Sequence, residues 1–250
     1  MSDGGNTLNI ARLGVVDYAD ALALQQAMVA ARLANAIGDT LVLLEHPHVF
    51  TLGRGADASF ITRHVPGVAV HRVSRGGQVT YHGPGQLIGY PIIKLEGAER
   101  DVLRYLRKIE QAIIDALAHF DIAAGRRDGM TGVWTSGVWM NPRKLASIGV
   151  GIRRWVTLHG FALNVATDLA WFDTIVPCGI DGCQMTSMAA LGRPDVTLEA
   201  IGSAIAARFA ALFGHAIVAE VPAAQLWSLL DPAAPGCEAR SQAASPRPRL

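Results

Sequence analysis

The sequence predicts a single α/β (α+β) domain with a central mixed β-sheet flanked by helices, and three observations predict it. The chain has 250 residues, within reach of one large domain, and half of them are apolar, enough for a sizeable core. Helix-period and strand-type segments alternate along it. No internal repeat and no shift of composition before Leu230 marks a linker.

The first helix is expected from about Tyr18 to Ala34, where Leu22, Val29 and Leu33 share a face. LVLLEH, Leu41 to His46, is a short apolar run that reads as a buried strand. Val68 to Val73 and Leu87 to Ile93 are rich enough in β-branched and aromatic residues to be strands. The clearest helix runs from Val102 to Phe120, with Val102, Leu106, Ile109, Ile113, Leu117 and Phe120 on one stripe and Arg104, Lys108 and Asp115 off it. Three further strands are expected at Gly132 to Trp139, Leu145 to Arg153 and Val156 to Val165. Asn141 and Pro142 form the turn into the second of these and place Lys144 at a strand edge or mouth. A last helix spans Leu198 to Phe213, capped by Thr197, stopped by Gly214, and turning Ile201, Ile205, Phe209 and Leu212 inward. The domain therefore extends over residues 1–230. Residues 231–250, rich in Pro, Ala, Ser and Arg, are too poor in large apolar side chains to offset the entropy of ordering and form an expected disordered tail that carries Cys237.

Composition narrows the function. A net charge of +1 with no long basic run argues against nucleic acid as the main partner. No stretch of 18 uncharged apolar residues suggests a membrane span, and the N-terminal segment carries Asp3, Asp17 and Asp20 in place of a basic leader. A cytoplasmic protein is expected. Its cysteines, Cys178, Cys183 and Cys237, are odd in number and irregularly spaced, so reduced thiols are expected.

Three groups capable of chemistry occupy the centre of the chain. The first is RGGQVTYHGPGQLIGYP, from Arg75 to Pro91. Its glycines, Gly76, Gly77, Gly83, Gly85 and Gly89, fit neither the P-loop spacing nor G-x-G-x-x-G, so phosphate cradling is unsupported. Arg75, the amides of Gly76 and Gly77, the hydroxyls of Thr80 and Tyr81, and His82 suit a carbonyl or a thioester. The plainer alternative is a tight hairpin whose glycines serve turn geometry.

The second group is Lys144. Positive charge is otherwise written almost wholly as arginine, with lysine kept only at 94, 108 and 144, and lysine can lose its proton whereas arginine effectively cannot. The plainer alternative is a solvated surface charge. The third is Cys178 in Val-Pro-Cys-Gly-Ile, where Pro177 fixes the backbone and Gly179 frees it, as a thiol projecting from a loop requires. A small buried core cysteine is the commoner case. A neighbouring ammonium favours thiolate over thiol, and the same amine, once deprotonated, serves as a general base. His46, His48, His82, His159, Cys178 and Cys183 are possible metal ligands, but CGIDGC lacks a second close Cys or His pair at zinc spacing, so no metal is expected.

These residues resemble the lipoyl(octanoyl) transferases, which move an octanoyl group from acyl carrier protein to lipoyl domains. The resemblance covers about Leu41 to Ala190 and rests on an ordered set: EHPHVFTLGRGAD, RGGQVTYHGPGQLIGYPI, GVW, RKLASIGVGIRRWVTLHGFALNV and IVPCGIDGCQMTSM. It implies that Cys178 carries the octanoyl thioester and that Lys144 tunes it and handles protons. The implied substrate pocket comprises Arg75, Gly76, Gly77, Gln78, Val79, Thr80, Tyr81 and His82, then Ser147, Ile148 and Gly149, then Gly160, Phe161 and Ala162. The implied fold is that of the biotin and lipoate ligase catalytic domain. The donor would be octanoyl-acyl carrier protein, and the acceptors the lipoyl domains of 2-oxoacid dehydrogenase complexes and the glycine cleavage H protein. No cofactor is implied, since exchange between thioesters is nearly balanced and the final amide lies downhill. Backbone amides at Ser147 to Gly149 or at Gly160 to Ala162 are the candidate oxyanion donors.

Two other readings stand beside this one. ATP-dependent ligases share the implied fold, but their GRGRxGR and RRxxGGGxVxxD signatures are missing, with RGGQVTYH only a distant echo of the second. A passive acyl-binding or carrier-docking module could use Arg126, Arg127, Arg153 and Arg154 against an acidic surface, but it would not need Cys178 and Lys144 together.

Overall fold

The computed structural model describes residues 7–135, 142–180 and 182–231. Fifteen helices and strands alternate along these residues, in the order β1 (Thr7–Val15), α1 (Tyr18–Leu33), β2 (Thr40–Glu45), β3 (Val49–Leu52), β4 (Ala69–Arg72), β5 (Val79–His82), β6 (Gln86–Ile92), α2 (Val102–Ala118), β7 (Ala124–Arg127), β8 (Met130–Thr135), β9 (Lys144–Arg153), β10 (Val156–Asn164), α3 (Leu198–Phe213), β11 (Ile217–Glu220) and α4 (Ala223–Trp227). The large sheet has eight strands in the order β11-β1-β2-β6-β10-β9-β8-β7. It is mixed, because β1 runs parallel to β2 and β11 while the other pairs are antiparallel.

Alternation along β2 explains the layering. Leu41 and Leu43 point to the side of α2 and α3, where they meet a core containing Ile109, Ile113, Ile201, Ile205 and Phe209. Val42 and Leu44 point to the opposite side and pack with Leu24 and Met28 of α1 and Leu226 of α4. A strand covered on both faces needs apolar residues in succession, and Thr40 to Leu44 is buried throughout.

The predicted helices are found with adjusted faces and ends. In α1 the buried face centres on Ala21, Leu24 and Met28, and Leu22 and Leu33 lie at its margin. In α2 the stripe is buried at Ile109, Ile113 and Leu117, but Val102 is exposed and the helix stops at Ala118, before Phe120. Asp101 caps it by accepting the Arg104 N–H. In α3, Thr197 caps the first turn through the Ala200 N–H and Gly214 ends the helix at φ +75°.

A second sheet was not expected. Val68 to Val73 does not join the central sheet: its strand, β4, pairs with β3, which pairs in turn with β5, giving a three-stranded sheet in the order β4-β3-β5. Its own core holds Phe50, Leu52, Val79, Tyr81, Phe172 and Ile175. The end of the predicted strand at Trp139, the turn residue Asn141 and the tail with Cys237 lie outside the described residues.

Candidate active site

Lys144 is the first residue of β9, and its side chain is only 2% exposed, so it is not the solvated charge that most lysines are. Its Nζ donates to Cys178 Sγ at 3.0 Å. The segment after the cysteine fixes that approach. The Lys144 N–H donates to Gln184 O at 2.8 Å and the Lys144 carbonyl accepts the Thr186 N–H at 2.9 Å. Cys178 sits in a short 3₁₀ turn, Pro177–Gly179, at φ +59° and ψ +12°. A side chain in the left-handed region costs energy and persists only where its surroundings impose it. Here they do: Val176 N–H is bonded to Phe60 O, Ile180 N–H to Pro177 O, and Gly179 is packed so closely on Gln78 and Phe60 that a Cβ would approach each to 2.9 Å. Ser147 Oγ lies 4.0 Å from the sulfur.

The thiol opens on a pocket of about 490 Å³, counting its open mouth. Of the predicted residues, Arg75, Gly77, Gln78, Val79, Thr80, His82, Ser147, Ile148, Gly149, Gly160, Phe161 and Ala162 line it. Their convergence follows from topology. β9 and β10 pair with Gly149 opposite Gly160, Phe161 opposite Ile148 and Ala162 opposite Ser147, so two distant sequence motifs become one patch of sheet. The arginine loop docks on the outer edge of β9 through Gly76 N–H to Val150 O at 3.0 Å.

Two predicted residues do not line the pocket. Gly76 spends its amide on that docking bond, and Tyr81 points the other way along β5. Tyr81 stacks on Trp171, and its hydroxyl bonds His48 Nδ1 at 2.7 Å, so it holds the small sheet together and is not free to bind a carbonyl. The glycine-rich stretch is therefore half strand, and its hydroxyls divide between pocket and core.

Behind the pocket runs a chain of buried hydrogen bonds. Arg75 Nη2 donates to Thr51 O at 2.7 Å and to Thr51 Oγ1 at 2.8 Å. Thr51 Oγ1 lies 3.3 Å from His82 Nε2, His82 Nδ1 meets Gln86 Oε1 at 2.8 Å, Gln86 Nε2 donates to Asn164 Oδ1 at 2.9 Å, and Asn164 Nδ2 reaches Thr186 O at 3.0 Å. Since Thr186 is bonded to Lys144, the chain joins the pocket wall to the strand that carries the amine. Burial pulls the Arg75 guanidinium below its ordinary value, opposed by Tyr18, Cys178 and Tyr90. Burial raises the Cys183 thiol, a shift that Cys178 reinforces and that Lys144 and Arg127 oppose. Among the described residues no three His, Cys, Asp or Glu side chains gather as a metal site requires, and no helix is long and apolar enough to cross a membrane.

Residues 17–210 match the lipoyl protein ligase A/B catalytic domain. The octanoyltransferase of Geobacter metallireducens is 50% identical over 198 residues, which cover 79% of this chain and 89% of the relative. That of Rhodococcus jostii is 46% identical over 220 residues, covering 85% and 84%. The chain belongs to the octanoyltransferase family. It is an acyltransferase of that type, in lipoylation-related chemistry. Solved lipoate ligases share the fold of this octanoyltransferase-family chain. Lipoate-protein ligase A bound with ATP matches with a TM-score of 0.68 at 16% identity, over 89% of this chain and 92% of the other. A bi-partite lipoate protein ligase from Thermoplasma acidophilum matches with a TM-score of 0.66 at 15% identity, over 89% of each.

Three pocket residues were not in the predicted pocket: Tyr18, Tyr90 and His159, the last named only as a possible metal ligand. Tyr18 opens α1, Tyr90 lies in β6, and His159 sits in β10 at φ +58° with its N–H bonded to Gln25 Oε1 of α1. The left-handed histidine is a structural signal that no sequence pattern carries. Burial raises the Tyr18 phenol to about 12 and the Tyr90 phenol well above its ordinary value, so both stay neutral.

Burial also keeps three histidines of this octanoyltransferase fold uncharged. His46 and His159 fall to about 4 and His82 to about 3, each chiefly through loss of solvation. Below about 6.5 the unfolded chain takes up protons that the folded chain refuses, so the stability present above that pH is lost as pH falls from there toward 4 and 3. Each histidine should cost up to about 2 kcal/mol by pH 5. Thermal unfolding recorded from pH 8 to pH 5 should show a falling midpoint, and a flat midpoint between pH 7 and pH 5 would contradict the neutral histidines.

Proposed function

We propose that this octanoyltransferase-family protein works in two steps through a Cys178 thioester, with octanoyl-acyl carrier protein as donor and a lysine of a lipoyl domain as acceptor. The Cys178 thiolate attacks the donor's carbonyl carbon, the carrier's sulfur departs and takes a proton from the Lys144 ammonium, and the octanoyl group rests on Cys178 beside a neutral Lys144 amine. The acceptor amine then attacks the same carbon, Cys178 leaves as thiolate, and the amine's proton passes to Lys144. The observation that carries this reading is the 3.0 Å contact between Lys144 Nζ and Sγ of Cys178, a residue that lines the pocket. Val79, Ile148, Phe161 and Ala162 give the pocket apolar wall for the acyl chain, where each buried methylene contributes about 0.8 kcal/mol.

The register narrows the oxyanion donors. Val150 O turns to the outer edge of β9 to accept Gly76, so Ile148, two residues away, turns its N–H to the same edge. Ser147 and Gly149 face Ala162 and Gly160 in the ladder, and Phe161 faces Gly89, which leaves Ile148 as the donor of choice. The test is intact-mass analysis after incubation with octanoyl-acyl carrier protein, without ATP, followed by peptide mapping and a chase with a lipoyl domain. One octanoyl adduct on Cys178, discharged by the lipoyl domain, is expected. A folded protein that stays unmodified until ATP and free octanoate are supplied would overturn the reading in favour of a ligase.

A further inference from the structure

The Lys144 side chain runs through a slot formed by β8. Gly132, at φ +129°, forms one wall: a Cβ there would stand 2.6 Å from Lys144 Cε and 3.2 Å from Nζ. Glu110, a fully buried carboxylate on α2, holds that wall by accepting the Gly132 N–H at 3.1 Å, while its other oxygen takes Arg107 at 2.7 Å and Arg126 at 2.9 Å. Two residues further along β8, the Trp134 indole, 1% exposed, presents its ring to the ammonium, with Nζ 5.1 Å from the centroid. Cys178 Sγ lies 3.0 Å from the same nitrogen. Thus the cation has a sulfur on one contact and an aromatic ring on another.

We propose that Trp134 is a positioning residue for transfer: its ring holds the Lys144 ammonium in place beside the sulfur, and so sets how readily Cys178 acts as a thiolate. This rests on the reading of Cys178 and Lys144 given above. The face of an indole carries negative potential, and its attraction for a cation grows when water is excluded, as it is around a buried lysine. The other charged and titratable groups facing the pair are Arg75 across the pocket, Cys183 in the following segment, and Arg127, whose guanidinium lies 5.4 Å from the centroid of the same indole. None of them occupies the slot. Arg127 also lies against the indole, but the cation in contact with the sulfur is Lys144 Nζ at 3.0 Å, so losing the ring acts on the thiol mainly through Lys144.

The experiment is the rate of Cys178 alkylation by iodoacetamide from pH 5 to pH 9, followed on the Cys178 peptide, in the full chain and in Trp134→Leu and Trp134→Phe. Thermal unfolding is measured alongside. In Trp134→Leu the rate at pH 7 should fall about 3- to 10-fold, with the profile moved to the alkaline side. Trp134→Phe, which keeps a ring of weaker face, should fall about twofold in the same direction. A purely packing role would lower the unfolding temperature and leave the profile where it is, and that result overturns the proposal. Should the leucine variant fail to fold, an unshifted profile in Trp134→Phe overturns it equally. If the unaltered protein alkylates like an ordinary free thiol and accepts no octanoyl group, the Cys178–Lys144 reading fails first and Trp134 with it. An acylating protein with a Trp134-independent profile removes only the role of the indole.

Discussion

Cys178→Ala is expected to abolish octanoyl transfer, by about 10⁴-fold or more, while the protein stays folded and still binds the donor carrier. The loss is large because the sulfur is the atom that bonds to the acyl carbon, and no neighbour can replace it. Ser147 Oγ, 4.0 Å away, is a hydroxyl and a far weaker nucleophile than a thiolate, and Cys183 lies in the segment beyond the turn with its thiol pushed up by burial. Stability should hardly change. Cys178 is only half buried, and alanine meets the same left-handed backbone at φ +59° that cysteine already tolerates. Transfer from octanoyl-acyl carrier protein to a lipoyl domain, measured with carrier binding and thermal unfolding, separates the cases. Substantial transfer by the alanine variant would remove Cys178 from the mechanism, and lost carrier binding would show that the loop is needed for docking as well.

Much of this arrangement was legible in the sequence, and the reasons differ by residue. α3 was readable to its ends because Thr197 and Gly214 act within one turn of the helix they bound. β2 was readable because a strand covered on both faces must be apolar without interruption. Cys178 and Lys144 could be paired through their chemistry, a thiol that needs an ammonium and a lone lysine in an arginine-rich chain. The small sheet was hidden because β3 and β5 are four residues each and β5 begins inside a glycine-rich run that imitates a loop. Tyr18, Tyr90 and His159 were hidden as pocket residues for another reason: α1, β6 and β10 bring them together only through the fold. Glu110 belongs to the same class. Within α2 it reads as a charge beside the apolar stripe, and only Arg107, Arg126 and the Gly132 amide make its complete burial tolerable.

Lys144→Met should slow transfer by about 10²- to 10⁴-fold, the range a positioned acid–base group contributes, with both half-reactions affected. Methionine fills a similar slot beside Gly132 and Trp134 but offers no cation to the sulfur 3.0 Å from the native amine, and no nitrogen to collect the acceptor's proton. Lys144→Arg divides these roles. A guanidinium keeps the charge that favours thiolate, so acylation of Cys178 should be partly retained. It cannot take up the proton of the attacking amine at neutral pH, so discharge to the lipoyl domain should fall further than acylation. Single-turnover measurements of the two half-reactions, loading with octanoyl-acyl carrier protein and chase with the lipoyl domain, give the two rates independently. An arginine variant that discharges at the native rate would show that Lys144 acts by charge alone. An arginine variant that loses both steps equally would show instead that the slot beside Gly132 does not hold a guanidinium where the amine stands.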